Sequence, residues 1–231
     1  MRTPLMVCLV LVMTAAGCGV VGGSKEKVPV EFGSARPGAA IALPDPPKGG
    51  VIPADKWPSA CQFLSDEEIT ALLPQAADIV RKPKVVSVLT LDDEQRAKAP
   101  EGACTFQFWL KGATTEEITS SVDVGISGLA DPEVITAHYA ETLVVDRKRK
   151  DKSQVEDYGA RLGPEACYSY LTGSYFHTLL CRQGTLLFHV DGIGFGTFPG
   201  VAEGDLPAGG KHWRDKVQAP VAGVIAAKIS R

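Results

Sequence analysis

Two side chains near the C-terminal end of the sequence form a pair that general acid–base catalysis uses. His189 and Asp191 stand two residues apart in the apolar stretch TLLFHVDGI (185–193), so a strand there would place both on one face. A carboxylate beside an imidazole can orient it as a base. No serine in a nucleophile-elbow context accompanies the pair. We therefore interpret both residues as structural and predict no catalytic residue.

The sequence gives weaker support for a metal site or a nucleotide-binding site. The other histidines, His138, His177 and His212, do not have the spacing of a metal site such as His-Glu-x-x-His. The glycine-rich GIGFG (192–196) follows a predicted strand, but no helix opens directly after it, as a dinucleotide site requires. We predict neither metal nor cofactor. Residues 192–210 are predicted to form a mobile loop that is able to border a ligand cleft.

Four aromatic residues gather around one predicted hairpin of the chain. They are Tyr168, Tyr170, Tyr175 and Phe176. Core packing and edge-strand pairing explain them most simply, and a hydrophobic ligand groove is the alternative.

Cys18 follows an N-terminal segment that is typical of exported proteins. Met1-Arg2 supplies a positive charge, and the apolar run from Leu5 to Met13 has the length of a signal-peptide core. It is shorter than the roughly 20 residues of a membrane span. Ala15-Ala16-Gly17 before Cys18 resembles the bacterial lipobox, which implies cleavage after residue 17 and acylation of the Cys18 sulfur. Ordinary secretory cleavage, with Cys18 incidental, is the alternative.

This motif predicts where the protein resides and how it is attached. Residues 1–17 would be a lipoprotein signal peptide, and the lipid on Cys18 would hold the chain on the extracytoplasmic face of the cytoplasmic membrane. Two or three acyl chains hold a protein firmly at a bilayer, whereas one binds marginally. Residues 18–56 are rich in Pro and Gly and predict a tether. The alternative is that VPVEF (28–32) or AIALP (40–44) adds an edge strand.

Four further cysteines lie in the region that we predict to fold. They are Cys61, Cys104, Cys167 and Cys181. An even number in an exported domain indicates disulfides, and four cysteines allow three pairings. We favour Cys61–Cys104 and Cys167–Cys181. A zinc site is the competing interpretation, but the spacings are long and no Cys-x-x-Cys motif is present.

Residues 57–231 predict one α+β domain with the element order α-βββ-α-βββ-α. Ser65 and Glu68 form a capping box at the first helix, and Asp131 caps the second. Short connections between strands predict an antiparallel sheet of about six strands with helices packed on it. The predicted strands are 84–91, 104–111, 118–126, 165–171, 175–181 and 185–193, and the last helix is 213–229, with Pro220 marking a kink or a later start. The charged segment 146–157 is interpreted as a solvated helix end.

Several of these motifs resemble a family of actinobacterial lipoproteins of unknown function. They are the Cys18 motif, the tether, the opening WPSACQFLSDEEITALL (57–73), the strand CTFQFW (104–109) and the later cysteine pair. The chain is also similar to the extracellular sensor domain of a mycobacterial membrane serine/threonine kinase. That resemblance implies two disulfides and a cleft, and it implies no catalytic residue.

The sequence thus predicts a non-enzymatic, membrane-anchored lipoprotein whose domain binds a small molecule, a lipid or an envelope protein. One alternative is an accessory or assembly protein of an envelope membrane complex. Another is a hydrolase with an unrecognised site around His189 and Asp191. A nucleic-acid partner is not predicted, because the net charge is −3 and no one-sided basic stripe is present.

Overall fold

Alternating apolar and polar residues form the strands of one antiparallel sheet. The computed structural model describes residues 28–89, 96–149 and 155–229. The sheet has the order β1-β2-β3-β7-β6-β5-β4, and every neighbouring pair is antiparallel. Its strands are β1 (Ala76–Leu89), β2 (Arg96–Leu110), β3 (Ser120–Leu129), β4 (Glu156–Gly159), β5 (Ala166–Thr172), β6 (Phe176–Gln183) and β7 (Leu186–Ile193). The helices are α1 (Asp66–Leu72), α2 (Pro132–Lys148), α3 (Leu206–Trp213) and α4 (Ala219–Ile229).

The α+β class and the antiparallel sheet are confirmed, but the described strands number seven rather than six. The additional strand is β4, which begins in the last two residues of the segment 146–157 that we predicted to be a solvated helix end. It pairs with β5 at the edge of the sheet, and its four residues are exposed or half-buried. An edge strand with little burial needs no apolar alternation, so the hydrophobic pattern did not reveal it.

The two faces of the sheet are covered differently. On one face the alternation of β2 buries Cys104, Phe106, Phe108 and Leu110 in the main core, as predicted, together with side chains of α1 and α4. On the other face α2 packs over β5, β6 and the start of β7. This smaller cluster contains Ala130, Ile135, Tyr139, Leu143, Tyr168, Leu180 and Leu187. The same face over β1, β2, β3 and the rest of β7 is polar.

Residues 28–56, predicted as part of the tether, lie against the domain instead. Val30 is buried, and its N–H donates to the carbonyl of Thr197 at 2.8 Å. The amide of Ile52 likewise donates to Leu129 at 2.8 Å. Neither VPVEF nor AIALP forms a strand. Scattered apolar residues and backbone hydrogen bonds hold this irregular segment against the domain. The structure therefore shows no boundary between tether and domain at residue 57.

The C-terminal helix begins earlier than the sequence predicts. α3 starts at Leu206, inside the predicted loop 192–210, because Asp205 accepts a hydrogen bond from the Ala208 amide and Pro207 suits a first helical turn. Between α3 and α4 lies one π-helical turn, Arg214–Gln218, just before Pro220. Pro220 cannot donate within a helix, and a π turn is a known way to accommodate such an interruption. No helix in the described residues is long and apolar enough to cross a membrane.

Two disulfides and one buried ion pair tie the elements together. Cys61 is joined to Cys104 on β2, and Cys167 is joined to Cys181, its direct partner in the β5–β6 register. This is the pairing that we favoured. Loops of this length confer roughly 3–4 kcal/mol per disulfide in the chain-entropy model. Buried Lys228 on α4 contacts buried Glu68 on α1 at 2.9 Å.

Candidate functional site

A cleft of about 1020 Å³ opens at one end of the sheet. β2, β5 and β7 end here, and β3 and β6 begin here, so three connections meet at this end. The walls come from residues 112–118 after β2, residues 175–177 at the β5–β6 turn, residues 192–206 after β7, and the start of α3. We call this the end cleft. Its size is that of a pocket for a small organic molecule.

Aromatic side chains dominate the walls of the end cleft. They are Trp109, Tyr175, Phe176, Phe195, Phe198 and Trp213. Four lining residues, Ile118, Phe176, Phe195 and Leu206, are large apolar residues that remain exposed, each by 39–56%. Exposed apolar side chains that converge in one concavity indicate a binding surface rather than incidental exposure.

Glycine 194 allows the wall behind these aromatic residues to form. A Cβ atom at this position would come within 2.0 Å of the ring of Trp213. The indole, which is fully buried, therefore packs directly on the backbone that leaves β7. A larger residue at 194 would displace Trp213, so the shape of the end cleft depends on this contact.

Two buried nitrogen atoms in the cleft-lining residues have no hydrogen-bond partner within the described parts of the chain. They are Nε1 of Trp213 and Nδ1 of His177. Burial, together with the positive charge of Arg214, lowers the pKa of His177 to about 4. His177 is therefore neutral at pH 7. Orphaned buried polar atoms are uncommon in native proteins, and a bound ligand or water is one way in which they become satisfied.

The charged residues that line the end cleft are all acidic. Glu116 and Glu117 lie on the β2–β3 connection, and Glu203 and Asp205 lie before α3. All four are exposed. Asp205 also caps α3, since its carboxylate accepts from the amide of Ala208 at 3.0 Å. No lysine or arginine stands among the described lining residues.

His189 and Asp191, which we interpreted from the sequence as structural, do not line the end cleft and lie on the polar part of the sheet. We call this region the open face; its members are Lys82, Lys84, Thr105, Gln107, Ser121, Asp123, Ser127, His189 and Asp191. The ring of His189 lies over Gly125, and its Nδ1 is 3.0 Å from the Ser127 hydroxyl. Burial lowers the pKa of His189.

The two carboxylates of the open face lie opposite each other across the β3–β7 pairing, and Asp123 is the one held by neighbouring side chains. Asp191 is directly opposite Asp123 in the β3–β7 register. Asp123 accepts hydrogen bonds from Thr105 and Ser121 and contacts Lys84 at 3.1 Å. Burial raises the pKa of Asp191 to about 7, the negative charge of Asp123 raises it as well, and Lys84 opposes the change.

The structure separates residues that the sequence grouped. Tyr175 and Phe176 line the end cleft, but Tyr168 and Tyr170 do not. Tyr168 packs under α2 and donates to Asp146 at 2.9 Å. Residues 192–206 border the cleft, as the loop prediction allowed. Trp213 and the connection 112–118 were missed, because nothing local in the sequence relates these distant segments.

The other two histidines that we considered from the sequence, His212 and His138, do not form a site with these residues. His212 on α3 packs beside Phe198, with ring centroids 5.5 Å apart, and His138 lies on α2. Among the described residues, no three His, Cys, Asp or Glu side chains are grouped to hold a metal ion. Cys18 lies outside the described residues.

Comparison with known proteins leaves the site to be interpreted from its own geometry. No protein-family model, no curated protein and no solved structure matches the chain.

Proposed function

We propose that this chain is a lipid-anchored protein of the extracytoplasmic membrane face whose domain binds an apolar small molecule without catalysing a reaction. The end cleft is the proposed binding site. The observation that carries the proposal is the convergence of exposed Ile118, Phe176, Phe195 and Leu206 on one concavity of about 1020 Å³. Covering such side chains with a ligand would remove apolar surface from water, which is favourable by about 25 cal/mol per Å².

The path of the N-terminal segment supports a location close to the bilayer. The amide of Val28 donates to Gly112 at 3.1 Å, and the amide of Val30 donates to Thr197 at 2.8 Å. Both acceptors belong to cleft-lining residues. Cys18 precedes Val28 by ten residues, which span at most about 35 Å when fully extended. An acylated Cys18 would thus keep the end cleft within this distance of the membrane surface.

Cleft binding is tested with Nile red, a neutral apolar dye whose fluorescence rises in apolar surroundings. We expect saturable binding of one dye per chain. Phe195→Ala should weaken it by about tenfold, because roughly 1.5 kcal/mol of aromatic contact is lost. Val85→Ala is the matched control, since Val85 is 63% exposed on β1 and does not line the cleft. Equal losses in both variants, or no saturable binding, would reject the proposal.

The anchor is tested separately by membrane fractionation and mass spectrometry of the chain produced in a bacterium that processes lipoproteins. The mature protein should begin at an acylated Cys18 and sediment with membranes. Cys18→Ala should release it, whereas Cys8→Ala should not, because Cys8 lies within the predicted signal peptide. Membrane sedimentation that is unchanged by Cys18→Ala would contradict the anchor and leave the binding proposal standing.

One contact favours a second candidate function, hydrolysis at the open face. Ser127 and His189 are 3.0 Å apart, which is within the distance at which an imidazole activates a hydroxyl. Both residues are half-buried rather than fully enclosed. We place this function second because neither Ser127 nor His189 lines the end cleft.

A further inference from the structure

We propose that the ligand of the end cleft is an apolar organic cation, that is, an amine or quaternary ammonium group attached to an apolar body. This inference rests on the proposed function and specifies the chemical class of the ligand. It combines two properties of the same walls: six aromatic side chains, and a set of charges that is entirely negative among the described lining residues.

The charges of the end cleft would favour a cation at its rim. Glu116, Glu117 and Glu203 are exposed, so their carboxylates are free to approach a ligand from water. Lys211, on the helix that bounds the cleft, contacts Asp215 at 2.6 Å. Its ammonium group is therefore engaged by a carboxylate of the π-helical turn that follows α3. An anionic ligand would meet like charges at this rim, and a cationic one would meet opposite charges.

The aromatic walls would accept both parts of such a ligand. Ring faces attract ammonium groups through their quadrupole when the charge lies within about 6 Å of the ring centre. Tyr175 and Phe176 lie side by side with centroids 4.4 Å apart and line the same cleft as the acidic residues. Deeper in the wall, Phe198 and Trp213 pack with centroids 6.2 Å apart and supply apolar contact for the body of the ligand.

Three probes with the same ten-carbon chain separate charge from apolar contact. They are decyltrimethylammonium, decyl sulfate and decyl maltoside, each used below its micelle concentration. Binding is measured by calorimetry and by tryptophan fluorescence on the oxidised full chain carrying Cys18→Ala, which has no acylation site. We expect decyltrimethylammonium to bind one per chain, at least tenfold more tightly than decyl sulfate, with decyl maltoside between them. Vesicles that contain a quaternary-ammonium lipid test whether a membrane-borne cation is captured as well as a free one.

Charge variants test whether the rim causes this order. The triple variant Glu116→Gln, Glu117→Gln, Glu203→Gln should lose about tenfold in affinity for decyltrimethylammonium and keep its affinity for decyl maltoside. Glu101→Gln, on β2 and outside the cleft, is the matched control and should change neither affinity. Equal affinities for all three probes would overturn the cation inference and leave apolar binding intact. Binding of none of them would overturn the proposed function itself.

Discussion

The end cleft and the open face differ in how their polar groups are paired. On the open face, Asp123 is held by Lys84, Thr105 and Ser121, and His189 contacts Ser127. In the end cleft, the carboxylates on the rim are exposed, and buried nitrogens of His177 and Trp213 have no partner within the described residues. On the open face these polar side chains are paired with one another, whereas the end cleft combines exposed apolar side chains and carboxylates with buried nitrogens that lack a partner among the described residues.

This difference indicates which of the two regions is the better candidate for binding a ligand. A polar cluster that is satisfied internally stabilises or specifies the fold, and binding a ligand there would require existing contacts to be broken. A concavity with exposed apolar groups gains stability when a ligand covers them. The end cleft is therefore the better candidate for binding. Substitutions in each region should separate these roles.

The largest effect on the free energy of unfolding is expected on the open face, when Asp191 is substituted. Burial and the opposing Asp123 raise its pKa to about 7 in the folded protein, whereas an aspartate in an unfolded chain titrates near 3.9. Between about pH 4 and pH 7 the folded state thus binds more protons than the unfolded state. The contribution of Asp191 to the free energy of unfolding should therefore fall as pH rises through this window and become constant above it.

Asp191→Asn removes this ionisation while preserving the shape of the side chain. At pH 8 the variant should be more stable than the wild type by on the order of 3 kcal/mol, and near pH 4 the two should be alike. Urea denaturation at pH 4, 6 and 8 measures the difference. Asp55→Asn, at an exposed position away from the sheet, should not reproduce it. A stability difference that does not vary with pH would show that Asp191 does not titrate in this window.

A smaller effect is expected in the end cleft, at Gly194. Gly194→Ala would force the Trp213 ring to move from a contact of 2.0 Å. Overpacking of this kind costs about 1–3 kcal/mol, and the displaced indole should also weaken Nile red binding. Gly209→Ala is the matched control, because a Cβ atom there would meet Phe198 at an ordinary 3.6 Å and would favour α3. Unchanged stability and dye affinity in Gly194→Ala would mean that Trp213 does not shape the cleft.

Local signals predicted most of the fold. The capping box at Ser65 and the alternation from Cys104 to Leu110 identified α1 and the core face of β2, because both patterns arise from contacts within a few residues. β4 was missed because an exposed edge strand carries no such pattern. Residues 28–56 were misjudged because Pro- and Gly-rich composition indicates the lack of regular structure, but it does not reveal backbone hydrogen bonds to distant segments such as Val30 to Thr197.

The site could be predicted only in part, since its walls are far apart in sequence. The loop after β7 and the aromatic Phe176 were recognised as possible parts of a ligand cleft. Trp213 was interpreted only as part of the last helix, and the Glu116–Glu117 pair only as part of a connection. Their meeting depends on the register that brings the ends of β2 and β7 to the same edge, and neither segment encodes that register alone. His189 and Asp191 show the converse. Their spacing is recognisable in the sequence, but the structure places both on the open face and not in the end cleft.

The smallest effect on binding is expected from the residues that most resemble a catalytic pair. If the open face is structural, Ser127→Ala and His189→Gln should each leave Nile red affinity within about twofold of the wild type, because neither residue lines the end cleft. A fluorophosphonate probe, which labels serines activated by a base, should also fail to modify Ser127. Labelling that is abolished by both substitutions would reverse the comparison and make the open face the functional site. If Nile red affinity changes by less than twofold and Ser127 stays unlabelled, the end cleft remains the candidate binding site.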